Sequence, residues 1–73
     1  MPQFAIEVGS VECSITVLEL PDGALWYAHI ARAGSLPRDI KGRVFAADPN
    51  ELLRQVVLEV EEAVVWFYGN AVH

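Results

Sequence analysis

Few residues in this chain could carry out chemistry, and they are scattered. Cys13 is the single thiol, His29 and His73 are the two imidazoles, and Glu59, Glu61 and Glu62 form the densest group of carboxylates. A thiol beside an imidazole can act as a nucleophile and its base. Two carboxylates held at different pKa values can act as general acid and base. One cysteine and two distant histidines make no zinc spacing. No glycine-rich phosphate loop, nucleophile elbow or His-acid-His pattern occurs. These residues therefore point away from an enzyme, a metal and a cofactor, provided that the elements carrying them leave them apart.

The strongest of those elements is a helix over residues 48–68. Asp48 is a suitable N-cap, Pro49 fits the first helical position, and Glu51 stands where a capping box places its acid. No Gly or Pro follows until Gly69-Asn70, a C-terminal stop signal. At 100° per residue, Leu52, Leu53, Val56, Val57, Val60, Ala63, Val64, Phe67 and Tyr68 share one broad apolar face. Arg54, Gln55, Glu59, Glu61 and Glu62 fall on the polar side, where acids are solvated rather than catalytic. Leu58 and Val65 also fall there, stacked in one stripe with Trp66 beside it. That stripe is a candidate surface for another subunit or protein.

Ahead of the helix the pattern is that of strands. Phe4, Ile6 and Val8 alternate with Gln3, Ala5 and Glu7. Val11, Cys13, Ile15 and Val17 alternate with Glu12, Ser14 and Thr16. Gly9-Ser10 between them is the signal of a type II′ hairpin turn, which sets Val8 opposite Val11, Ile6 opposite Cys13 and Phe4 opposite Ile15. Cys13 then faces the core, as a small apolar side chain rather than a reactive thiol. A third strand returns from Pro21-Asp22-Gly23 over residues 25–32, and two registers are open. A three-residue loop turns Leu25, Tyr27, His29 and Ala31 inward, with His29 opposite Ile15 and close to Cys13. A two-residue Asp22-Gly23 loop turns Trp26, Ala28 and Ile30 inward instead. One residue of slip exchanges the faces. In the first register Leu18, Leu20, Trp26 and Ile30 lie outside; in the second, Leu18, Leu20, Leu25 and Tyr27 do. Either way the outer sheet face keeps large apolar groups with no second helix to cover them. Residues 33–42 read as a loop holding Arg38 and Lys41, and residues 43–46 as a short fourth strand.

Composition narrows the function classes. A chain of 73 residues is one domain, residues 1–73, with the sheet over about 3–46 and the helix over about 48–68. Domains of this size bury only about 60% of their unfolded surface and commonly rely on disulfides, metals or oligomerisation. The first two lack residues, and a 53% hydrophobic composition supplies material for the third. A formal charge of −5 disfavours a general phosphate-binding surface, although Arg32, Arg38, Lys41 and Arg43 concentrate in one region. The absence of an export signal or an apolar span, together with one free cysteine, leads us to expect a cytoplasmic protein without a membrane partner.

The strands followed by the capped helix Ala47-Asp48-Pro49-Asn50-Glu51-Leu52-Leu53 resemble in form the HicB-type antitoxin domain, where a hairpin and a short strand lead into a helix with a polar cap and a Glu. The family's Pro-Gly-Cys loop has no counterpart in residues 35–42. The order of four strands then a helix is also similar to a type of single-stranded DNA-binding dimer. These resemblances imply a regulatory or single-stranded nucleic-acid-binding domain using Arg38, Lys41 and Arg43, with Trp26 or Tyr27 stacking on bases. The residues themselves favour a different expectation. The fold is α+β, an antiparallel meander of three or four strands with a long C-terminal helix on one face. The protein is a non-enzymatic interaction module, a homodimer or an adaptor or inhibitor, acting through Leu18, Leu20 and Trp26 on the outer sheet face and Leu58, Val65 and Trp66 on the helix.

Overall fold

The computed structural model describes residues 3–69. Four antiparallel strands, β1 (Gln3–Val8), β2 (Val11–Leu20), β3 (Gly23–Arg32) and β4 (Arg38–Phe45), lie side by side in chain order, followed by the helix α1 (Pro49–Tyr68). The fold is the expected α+β meander with one helix on one face.

The first hairpin has the register that its alternation dictates, Val8 opposite Val11, Ile6 opposite Cys13 and Phe4 opposite Ile15. Gly9 takes φ 61° while Ser10 stays out of positive φ, as a type II′ turn requires. The second hairpin has the inward set of the second alternative but the loop of neither. Its loop is Pro21-Asp22, which places Leu20 opposite Gly23, Val17 opposite Trp26 and Cys13 opposite Ile30. The inward set is therefore Trp26, Ala28 and Ile30, but the pairing is displaced by two residues from that of an Asp22-Gly23 loop. Gly23 explains the shift. It pairs with Phe45 on β4, and a Cβ on it would fall 1.9 Å from the Val44 carbonyl oxygen. The glycine is needed in the sheet, so Pro21 and Asp22 make the turn. The Ala46 amide then bonds the Asp22 carbonyl, tying the end of β4 to this turn.

The fourth strand corrects the sequence reading. Residues 38–42, expected as loop, pair with β3 from Ile30 opposite Arg38 to Trp26 opposite Gly42. Asp, Lys and Gly are poor strand residues in isolation, and pairing along a long neighbouring strand overrides that preference.

One ridge of the helix, Leu52, Val56, Val60 and Val64, is buried against Val11, Cys13, Ile15 and Val17 of β2, Ala24, Trp26, Ala28 and Ile30 of β3, and Val44 of β4. Phe4, Ile6 and Val8 are half-buried at the margin. Ala63 and Phe67, expected in the contact, flank it instead. Ala63 is half-buried, and Phe67 lies at the surface under the Arg38 guanidinium, 4.8 Å from the ring centroid. The helix N-terminus closes as its sequence dictates, with Asp48 Oδ1 accepting from the Asn50 amide at 3.0 Å. The Glu51 carboxylate accepts from Gln55 one turn on rather than completing the box. Gly69 ends the helix with its amide on the Val65 carbonyl. Asn70 and His73 lie outside the described residues.

Candidate interaction surfaces

The register sorts the residues that could do chemistry. Cys13 is on the inner face, 1% exposed, and burial pushes its thiol pKa up from the ordinary value of 9.0. His29 is on the outer face, opposite Ser14 on one side and Asp39 on the other. The sheet therefore stands between Cys13 and His29, and the thiol–imidazole pair open in one register does not exist. His29 Nδ1 instead meets Asp39 Oδ1 at 2.7 Å, an exposed contact. Ser14, His29 and Asp39 thus line up across three strands on an open face. Among the described residues, no three of the His, Cys, Asp and Glu side chains gather as a metal-binding group. No described helix is long and apolar enough to cross a membrane.

Trp26 is a correction. It was a candidate for the outer patch, but it lies on the inner face and is 4% exposed. Its indole occupies the space above Gly42, where a Cβ would fall 2.5–2.7 Å from ring atoms, and its Nε1 donates to Glu59 Oε1 at 3.2 Å. The Glu59 carboxylate, read as merely solvated, thereby joins helix to sheet.

The outer face carries no element of the described chain. Its residues form rows set by the pairing: Leu18, Leu25 and Arg43; Thr16, Tyr27 and Lys41; Leu20, Gly23 and Phe45. Leu18, Leu25, Tyr27 and Phe45 are exposed, Phe45 at 69% and Tyr27 at 58%. Leu20 is half-buried. Arg43 lies 4.6 Å over the Phe45 ring and holds Asp22 through both carboxylate oxygens at 3.1 Å. Exposed pairs of this kind contribute at most about 1 kcal/mol. The other end of the face is small or acidic, with Ala5 and Ser14 adjoining Glu7 opposite Glu12. Apolar and cationic groups therefore concentrate at the β3–β4 end.

Two open grooves border the helix. One, about 420 Å³, lies towards β1 between Phe4 and Leu53, Val57 and Leu58. The other, about 590 Å³, lies towards β4 among Trp26, Ile40, Gly42, Glu59, Glu62 and Phe67. Leu58 and Val65 are exposed as their helical phase predicts, and Trp66 is 79% exposed with its ring edge-on to Phe67. Sequence reasoning placed Leu25 outside in only one of its two registers, and it missed Phe45 and the β4 groove. The first depended on the unresolved register, and the others on a strand read as loop or as a short tail to it.

No protein family, no curated protein and no solved structure matches the chain significantly.

Proposed function

We propose that the protein is a non-enzymatic, homodimeric interaction module that docks another protein on its outer sheet face. The observation that carries the docking surface is that face itself, uncovered by any described element and bearing Leu18, Leu25, Tyr27 and Phe45 as one exposed group. Patches of contiguous apolar side chains rimmed by charge are characteristic of protein interfaces. Aromatic residues with an adjacent arginine, as Phe45 and Arg43 are here, are the types enriched at binding hot spots. The helix stripe of Leu58, Val65 and Trp66 is a second surface of the same kind. The test is a photo-crosslinking side chain at position 27 in the native cell. The expected result is an adduct of defined mass that disappears when Leu25→Glu is added. No adduct, or one indifferent to Leu25→Glu, overturns the assignment to this face.

One observation favours a second reading. Tyr27 stands opposite Lys41, and Arg43 lies over Phe45, so exposed aromatic and cationic groups share one face, the combination that single-stranded nucleic acids use. Trp26, being buried, takes no part, and Arg38 points to the helix side. This reading expects salt-sensitive binding of a single-stranded oligonucleotide that Tyr27→Ala weakens. Absence of binding at low salt removes it.

A further inference from the structure

Strand β4 is an edge strand, paired among the described residues with β3 alone. The Leu20–Gly23 pair closes a two-residue hairpin, and antiparallel bonding alternates from there along both neighbouring strands. Even-numbered residues of β4 consequently turn their main-chain groups to β3, and the Ala46 amide bonding the Asp22 carbonyl has that parity. The amides and carbonyls of Asp39, Lys41 and Arg43 point to the open edge. Unpaired edges are templates for another strand.

We propose that β4 pairs antiparallel with β4 of a second copy of this chain, in the register that sets Ile40 opposite the partner's Ile40. Charge and space select the occupant and the register together. Four two-fold registers keep the bonding parity over five or more residues, centred on Ile40, Lys41, Gly42 or Arg43, and the last sets Arg43 against its own copy. Centring on Lys41 puts two ammonium groups against each other and offers Asp39 only to an Arg43 already held by Asp22. Centring on Gly42 sets Lys41 against the partner's Arg43, and like charges directly opposite are destabilising.

Centring on Ile40 sets Asp39, which meets His29 through Oδ1 alone, opposite the partner's Lys41, twice by symmetry. Lys41 has no ion pair among the described residues, so the contact satisfies a free charge. The same register brings Arg38 opposite the partner's Gly42, on the helix side. There the strand has no side chain, and the groove floored by Trp26 is lined by the carboxylates of Glu59 and Glu62 with Lys41 at its edge. Arg38, which in its own chain lies over Phe67 at the rim of the same groove, is brought by this register to the partner's Glu59 and the partner's Glu62 as well. The two sheets become one, with both helices on one side and both outer faces on the other. The dimer thus leaves the Leu18–Tyr27–Phe45 surface free for the partner protein of the proposed function. It deepens that reading, and it fails separately from it.

The test uses the full chain with Ile40→Cys, and Leu18→Cys as the outer-face comparison. In a non-hydrogen-bonded antiparallel pair the two Cα atoms lie about 4.5 Å apart, within disulfide reach. Mild oxidation is expected to link Ile40→Cys to itself and to leave Leu18→Cys single. Asp39→Lys and Lys41→Asp are each expected to weaken the dimer roughly tenfold, and the double exchange to restore it to within about threefold, since two cross-strand pairs change at once. Both positions are exposed, and circular dichroism checks that the fold is kept. Linkage through Leu18→Cys and not Ile40→Cys means stacked outer faces and overturns the proposal. So does a double exchange weaker than either single change.

Discussion

The indole of Trp26 lies where the side chain of residue 42 would otherwise be: a Cβ on Gly42 would come within 2.5 Å of the ring. Gly42→Ala is therefore expected to push the indole off β4, break its bond to Glu59 and cost about 1–3 kcal/mol, the usual range for overpacking. Denaturant unfolding followed by Trp26 emission, in a Trp66→Phe background, measures both effects. Unchanged stability and emission contradict the packing described.

Glu59 is the helix's one side-chain hydrogen bond to the sheet among the described residues. Glu59→Ala leaves the half-buried Nε1 without its partner and is expected to cost about 1 kcal/mol. Glu59→Gln keeps an acceptor oxygen and is expected to lose less. Thermal unfolding of the two variants distinguishes them, and equal losses would show that the bond contributes nothing beyond packing.

The two tryptophans differ in burial, 4% for Trp26 and 79% for Trp66. Trp26→Ala opens a core cavity and is expected to cost about 3–5 kcal/mol. Trp66→Ala is expected to stay within about 0.5 kcal/mol, as exposed substitutions do. Chemical denaturation of each variant checks the contrast.

Cys13 gives stability a pH dependence at the alkaline end. Its folded pKa is raised by burial above the value of 9.0 that an unfolded thiol has. Between the two values the folded state holds a proton that the unfolded state has lost, so stability is intact below about pH 9 and falls as pH rises further. Cys13→Val removes this dependence. Urea midpoints of both proteins from pH 7 to pH 10 measure it, and the thiol should stay unreactive to a disulfide reagent until the protein unfolds.

Leu58→Glu with Val65→Glu is expected to weaken association through the helix stripe without unfolding the chain. Both side chains are already more than two-fifths exposed. A photo-crosslinker at position 66 reports the contact, and an adduct unchanged by the double substitution removes the stripe from the account.

What could be read in the sequence followed local rules. The first hairpin and the helix were legible because alternation, the Gly9-Ser10 turn and the Asp48 cap agree with one another. The third strand was legible only to its parity, since choosing among loops required Gly23, whose reason is a carbonyl on β4 distant in sequence. Gly42 was misread for the same cause. A glycine among Lys and Arg reads as loop, and only the Trp26 ring above it shows why a strand needs one there. Phe67 was misplaced because the width of a helix's contact depends on where it crosses the sheet. Here that contact narrows to the ridge from Leu52 to Val64, and the flanks border grooves.

The claim on which the account turns is that this chain associates with itself, and solution mass by light scattering across a concentration series tests it most directly. The account predicts twice the 8.1 kDa chain mass at high concentration, falling towards the single mass in Asp39→Lys under the same conditions. The mass of one chain at every concentration contradicts it.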